Sequence, residues 1–186
     1  MTAEPIPHWL FYPVTAEEYD TWPEERSAGI EIVDGMVVMS PSPSTRHNRV
    51  AKLVANGLEA AGQPMWLADL DFDVRLRDVP LLNRRPDVIV YRASALDVTP
   101  KRAEHILLIA EVVSPGSETT DRTLKMGEYA AAGIEHYWRV EKVGTGVPVV
   151  YTYLLDPVGP GYRATEVFTG VVKAVVPFAV EIDLQR

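Results

Sequence analysis

The feature that most constrains this chain is a pair of apolar runs that each carry one acid. Asp87-Val-Ile-Val-Tyr91 is apolar after its first residue, and Ile106-Leu-Leu-Ile-Ala-Glu-Val-Val113 is apolar apart from Glu111. Runs this short and this apolar read as central strands buried on both faces. An acid inside such a strand is costly unless something pairs with it. Ser114-Pro-Gly116 stops the second run, and Thr119, Thr120 and Asp121 supply helix-start chemistry. Leu124, Tyr129, Ala130 and Ala132 suit a helix that ends at Gly133, and Ile134 to Val140 resumes as a strand. Lys125 stands four residues from both Asp121 and Tyr129, so the three share a helix face. The stretch Arg85–Val140 therefore places two strand acids and a lysine within reach of one polar site at a sheet edge.

The residues ahead of this stretch give simpler signals. Residues 1–13 hold three prolines and no periodicity, and read as an extended arm. Thr15-Ala-Glu-Glu18 has capping-box spacing and opens a short helix ending near Trp22-Pro23. Gly29 to Ser40 reads as a hairpin around Asp34-Gly35. Glu31 falls opposite Ile30 and Ile32 there, so the alternation alone makes it solvent-facing. Pro41-Ser-Pro-Ser44 is a loop whose end caps a helix over residues 45–61, with Val50, Leu53, Val54 and Leu58 as its apolar stripe. His47 lies near that stripe, where a histidine is more often a packed first-turn residue than a ligand. Met65 to Arg77 contains one or two strands, and its stretch Leu70-Asp-Phe-Asp-Val-Arg-Leu-Arg77 alternates as a half-buried strand with a charged outer face. Asp71 and Asp73 stand on that face, and a solvated role is the simpler account of them. Leu81–Arg85 reads as a loop, and residues 92–104 as a polar connection.

Beyond residue 146 come four β-like runs punctuated by Asp156-Pro157, Gly159-Pro-Gly161, Gly170 and Pro177. No repeat and no linker interrupts the chain, so all 186 residues are expected to form one α/β domain with a β-rich end. The chain has no cysteine, which excludes disulfides, zinc–thiolate sites and cysteine nucleophiles. No segment approaches the roughly 18 apolar residues of a membrane helix, and the first residues do not form a signal peptide. The expectation is a soluble cytoplasmic protein. The net charge of −8 argues against a tight, non-specific nucleic-acid binder. It leaves room for a nuclease, whose metal site itself needs acids.

Two carboxylates brought together repel, and one tends to hold a proton. A divalent cation removes that conflict, and an all-oxygen donor set suits Mg²⁺ or Mn²⁺. Such an ion polarises a phosphodiester and acidifies bound water. A lysine aimed at the same place can orient that water or offset charge in the transition state. The plainer reading of Lys125 is a surface pair with Asp121, worth at most about 0.5 kcal/mol. For Glu111, pattern alone leaves a functional and a structural role equally open.

These residues, in this order, resemble the Uma-type family of restriction endonucleases, a bacterial branch of the PD-(D/E)XK nuclease-like superfamily. The matching pieces are Glu31-Ile-Val-Asp-Gly35, Pro41-Ser-Pro-Ser44 with His47, and Arg85-Pro-Asp87 as the PD motif. Glu111-Val-Val-Ser114 matches the acidic strand, Asp121, Lys125 and Tyr129 the following helix, and Gly133-Ile-Glu-His-Tyr-Trp138 a G-[IV]-x-x-Y-W signature. The resemblance implies a restriction-endonuclease-like fold, a mixed central β-sheet flanked by helices. It implies Asp87 and Glu111 as ligands of Mg or Mn, with the Val112 carbonyl as a further ligand and Glu31 as an accessory acid. It also brings His47 to the site. The superfamily lysine would stand at position 113, which here is Val113, and Lys125 is the natural substitute.

The function implied is a metal-dependent endonuclease acting on nucleic acid, DNA first. The alternatives are a nuclease-fold module without catalysis and a hydrolase of small phosphoesters. A homodimer fits an enzyme that cuts two strands. The β-rich end and Trp9, Phe11 and Tyr12 are candidate contacts.

Overall fold

The computed structural model describes residues 11–39, 42–114, 123–143 and 146–185. Thr15 accepts the Glu18 amide and caps α1, Ala16–Tyr19, which α2, Glu24–Ser27, follows. A hairpin then forms from β1, Ile30–Val33, and β2, Met36–Met39. Asp34 and Gly35 at its turn have φ of 51° and 81°, the pair of positive values that a two-residue hairpin of this twist requires. A Cβ at position 35 would also lie 2.8 Å from Pro13 Cβ, so glycine is needed twice over.

Ser44 Oγ accepts the His47 amide and starts α3, Thr45–Gly62. Val50, Val54 and Leu58 of the expected stripe are buried, and Leu53 packs against the same core. Next come β3, Trp66–Leu70, and β4, Val74–Arg77. The alternation over 70–77 predicts a single strand, but Asp71 adopts φ 51° and breaks it in two. The halves enter different sheets, and Arg75, expected in solvent, is buried against Asn83, Asp78 and Asp20.

A second departure follows at once. The expected loop at 81–85 contains β5, Leu82–Arg84, and all three of its residues are buried. Its Asn83 and Arg84 hide the strand from an apolar-periodicity search. Then come β6, Val88–Arg92, a short β7, Lys101–Arg102, and β8, Ile106–Val112. After α4, Lys125–Ala131, the chain ends in β9, His136–Val143, β10, Val147–Leu155, β11, Tyr162–Thr169, β12, Val171–Ala174, and β13, Val180–Asp183.

One sheet has the order β2-β1-β5-β4-β7, the other β11-β10-β9-β8-β6-β3, and β12-β13 stand as a separate pair. The larger sheet is mixed, because β8 and β9 run parallel while its other pairs are antiparallel. β6 and β8 lie side by side in its interior, buried as the apolar runs predict. One of its faces packs on α3, over which β12 and β13 fold in turn, through Val54, Leu58, Val88, Ala110, Trp138 and Ile182. The other face packs on α4 and β4 through Ile89, Ile109, Tyr129 and Tyr137. The G-[IV]-x-x-Y-W residues Ile134, Tyr137 and Trp138 are all core, which accounts for that motif by packing. No described helix is long and apolar enough to cross a membrane.

Candidate functional site

The chain crosses from one sheet to the other between β5 and β6, and the polar residues gather at that seam. Ile32 of β1 pairs with Asn83 of β5 in antiparallel register, which sets Glu31 opposite Arg84. An Arg84 guanidinium nitrogen lies 2.8 Å from Glu31 Oε2, and the Arg85 amide donates to Glu31 Oε1 at 3.1 Å. Glu31 is 3% exposed, so the solvent-facing reading from alternation is wrong. β1 is covered on both faces, and the acid is held by cations in place of water. Burial on its own would raise the Glu31 carboxyl, but the charges of Lys125 and Arg84 outweigh it and hold the group below its ordinary range.

Lys125 is likewise no surface residue, being 8% exposed. Its ammonium lies 3.2 Å from Glu31 Oε1 and 3.2 Å from Glu111 Oε1, bridging the two acids. Tyr129, one turn further along α4, donates its hydroxyl to Glu111 Oε1 at 2.7 Å. Lys125 and Tyr129 thus share a face as their spacing predicts, and that face points at β8. Burial, then the nearby Glu111 and Glu31 charges, push the Tyr129 phenol well above its ordinary value, so it remains a donor. Asp121 lies outside the described residues. Lys125 itself is buried rather than on the surface, because the helix packs its first turn against the seam.

Asp87 is held from a different side. Its Oδ2 accepts the Val112 amide at 2.7 Å, and its Oδ1 lies 2.9 Å from His47 Nε2. His47 in turn has Nδ1 2.9 Å from Ser114 Oγ. The cap on α3 places His47 in the helix's first turn, directed at the seam rather than into the apolar stripe. With its side chain 24% exposed, Asp87 is the member of the cluster most open to solvent, whereas Glu111 is 2% exposed. Val112 enters through its backbone, which the structure ties to Asp87 by the amide.

Two participants escape a sequence reading. Arg84 stands beside the PD motif in what reads as a loop, and Glu128 reads as an ordinary exposed helix acid. The structure joins them, with Arg84 Nε 2.6 Å from Glu128 Oε2 and a second guanidinium nitrogen 2.8 Å from Oε1. This two-pronged pair ties α4 to β5. Three residues separate Lys125 from Glu128, close to one helical turn, and that is the signal that marks both as one face. Neighbouring Arg85 turns away from the cluster and binds Asp71 and Asp73. It pins the other crossing between the sheets, so these two aspartates have a structural role.

Among the described residues, the carboxylates Glu31, Glu111 and Glu128 face two permanent cations, Arg84 and Lys125, while Asp87 faces His47. No three His, Cys, Asp or Glu of the described residues form a ready metal cage. Mg²⁺ does not need one, since it commonly takes one or two carboxylates and keeps waters and substrate oxygens for the rest. The hard oxygen donors of Asp87 and Glu111 therefore fit such an ion in kind. The arrangement leaves the Asp87 carboxylate at its more open end and the Lys125 ammonium at its buried end.

Comparison with known proteins bears on the fold and the family. No curated protein matches the chain. The structure resembles the crystal structure of a putative nuclease belonging to DUF820 from Anabaena variabilis ATCC 29413, with TM-score 0.65 and 19% identity, covering 89% of this chain and 90% of that one. At that identity the likeness is one of fold, and the expected nuclease-like architecture is the one observed. Residues 16–185 match the Uma2 family model, described as "Putative restriction endonuclease", and the chain belongs to that family.

Proposed function

We propose that this protein is a metal-dependent endonuclease that hydrolyses phosphodiester bonds in nucleic acid, with DNA as the first substrate to test. The observation that carries the reading is the Lys125 ammonium 3.2 Å from Glu111, a helix lysine reaching the acidic strand where position 113 holds valine. Asp87 and Glu111, with the Val112 carbonyl, would hold Mg²⁺ or Mn²⁺. Such an ion supplies charge neutralisation at the phosphate and a more acidic water. Lys125 orients the attacking water and offsets charge on the phosphoryl oxygens. Glu31 positions Lys125 from behind, and Arg84 positions Glu31. His47 positions Asp87 and is not itself placed on the reacting atoms. An enzyme that must cut both strands of a duplex would work as a homodimer, and light scattering reads that directly.

The test is cleavage of supercoiled plasmid, single-stranded DNA and RNA with Mg²⁺, Mn²⁺ or EDTA. Wild-type protein is expected to cut only with metal. Asp87→Asn, Glu111→Gln and Lys125→Met are each expected to lose roughly 100-fold or more, the scale of losing a transition-state contact. Cleavage that survives in all three variants sinks the assignment. A second reading has one observation in its favour: Lys125 is 8% exposed and its ammonium already bridges two acids, as in a purely structural network. On that reading the chain is a nuclease-fold binding module. Neither metal would then shift its melting temperature, and no substrate would be cut.

A further inference from the structure

Asp87 is gripped by two donors, the Val112 amide on Oδ2 and the His47 ring on Oδ1. A carboxylate only accepts, so the hydrogen on this side belongs to His47 Nε2. In a neutral imidazole the other nitrogen, Nδ1, is then an acceptor. Ser114 Oγ lies 2.9 Å from it, and its hydroxyl is a donor that can meet that need. His47 is thus anchored at both ring nitrogens, by a residue before β6 and a residue just after β8. The ring's backbone is fixed as well, through the Ser44 cap on the His47 amide.

We propose that Ser114 is a positioning residue for the metal-binding carboxylate. Its hydroxyl holds the His47 ring so that Nε2–H stays directed at Asp87 Oδ1. With the Val112 amide on the other oxygen, the Asp87 carboxylate is fixed in rotation and keeps its remaining lone pairs for a divalent cation. Outer partners of this kind orient a ligand without touching the ion. The chain Ser114–His47–Asp87 resembles a nucleophile triad in its composition. Here, however, the carboxylate is not sealed behind the imidazole, with 24% side-chain exposure for Asp87 against 11% for His47. The proposal rests on the metal-dependent reading, and its test is chosen to separate the two.

Mn²⁺ alone is the probe, with affinity read by calorimetry or electron paramagnetic resonance, and nitrogen-15 spectra of the metal-free imidazole give a second readout. Wild-type protein is expected to show His47 in the Nε2–H form. Ser114→Ala is expected to weaken Mn²⁺ binding about 10-fold, the lower end for loss of an outer-sphere partner. In the same variant the metal-free His47 signals move toward averaged values. Ser114→Thr, which keeps the hydroxyl, is expected to restore both. His47→Gln retains a donor near the Nε2 position and is expected to bind Mn²⁺ more tightly than His47→Asn, which does not.

If Ser114→Ala leaves Mn²⁺ affinity and the imidazole signals as in wild type, the proposal is overturned while the nuclease reading stands. If the wild-type protein binds no Mn²⁺, the metal reading falls, and the metal-free spectra of Ser114→Ala still decide whether the serine holds the ring. Unfolding curves of Ser114→Ala and Ser114→Thr show whether a lost effect is merely a lost fold.

Discussion

At the scale of single residues, the site is a problem of buried charge. Lys125 separates Glu31 and Glu111, and each acid is almost sealed from water. Removing one partner of a buried ion cluster leaves the others uncompensated, at a cost of about 3–5 kcal/mol. Lys125→Met is therefore expected to destabilise the fold by that order, and Glu31→Gln in the same chain to recover part of it. Denaturant unfolding of the single and double variants measures the coupling, and strictly additive losses would rule the bridge out. The Glu31 carboxyl sits below its ordinary value of 4.5 because Lys125 and Arg84 outweigh its burial. Its stabilising contribution is complete above about pH 4.5. It is lost as pH falls through the lowered folded value. Glu31→Gln is expected to flatten the acid limb of a stability–pH curve, and an unchanged slope below pH 4.5 would contradict this. Asp87 and Glu111 were legible in sequence because acids stand out in apolar runs. Alternation alone misplaced Glu31, which only the family resemblance brought to the site, since a strand covered on both faces has the same alternation as one covered on a single face.

At the scale of elements, the decisive joint is between α4 and β5. Arg84 clamps Glu128 with two bonds, and α4 is the element that carries Lys125. Losing the charge of that pair should cost about 1–2 kcal/mol. More tellingly, Glu128→Gln is expected to reduce activity while leaving Mn²⁺ affinity near wild type, because no proposed ligand is touched. Matched losses in both would place Glu128 nearer the metal than the geometry does. The strands with apolar runs, β6, β8 and β10, and the helix with an apolar stripe, α3, could all be read in advance. What could not be read was β5, a strand whose middle and last residues are asparagine and arginine. Its polarity is satisfied by partners distant in sequence, and local pattern carries no trace of them. The same reason explains the break at Asp71, where two sheets compete for one alternating run.

At the scale of the whole molecule, the site is assembled from both large sheets and from a helix on either face of one of them. α3 brings His47 and lies between the larger sheet and the β12–β13 pair. Its contact with that pair is close. A Cβ at Gly57 would fall 2.6 Å from Ile182 Cγ1, and Ile182 is itself buried. An alanine there gains up to about 1 kcal/mol of helix propensity. Overpacking a filled core costs about 1–3 kcal/mol, and this term wins. Gly57→Ala is expected to lower stability, and shortening the neighbour in Gly57→Ala with Ile182→Val to restore part of it. A stabilised single variant would mean that the two elements are less tightly seated than this. Apolar runs announced an α/β sheet, and the family resemblance implied its nuclease-like form. The threefold layering of sheet, helix and strand pair could not be read from them, because it depends on which apolar face meets which.

That layering has a consequence in time. His47, Asp87, Glu111 and Lys125 are all translated before residue 126, while the strand pair that closes over α3 spans residues 171–183. Val54 and Leu58 share a core cluster with Val172, Val180 and Ile182 of those strands. A ribosome-bound chain can therefore hold every residue of the site and still lack the lid that seats the histidine's helix. On the proposed function, a chain cut before residue 171 is expected to be inactive on nucleic acid although it holds every residue of the site, and a nuclease assay on that shortened chain checks it.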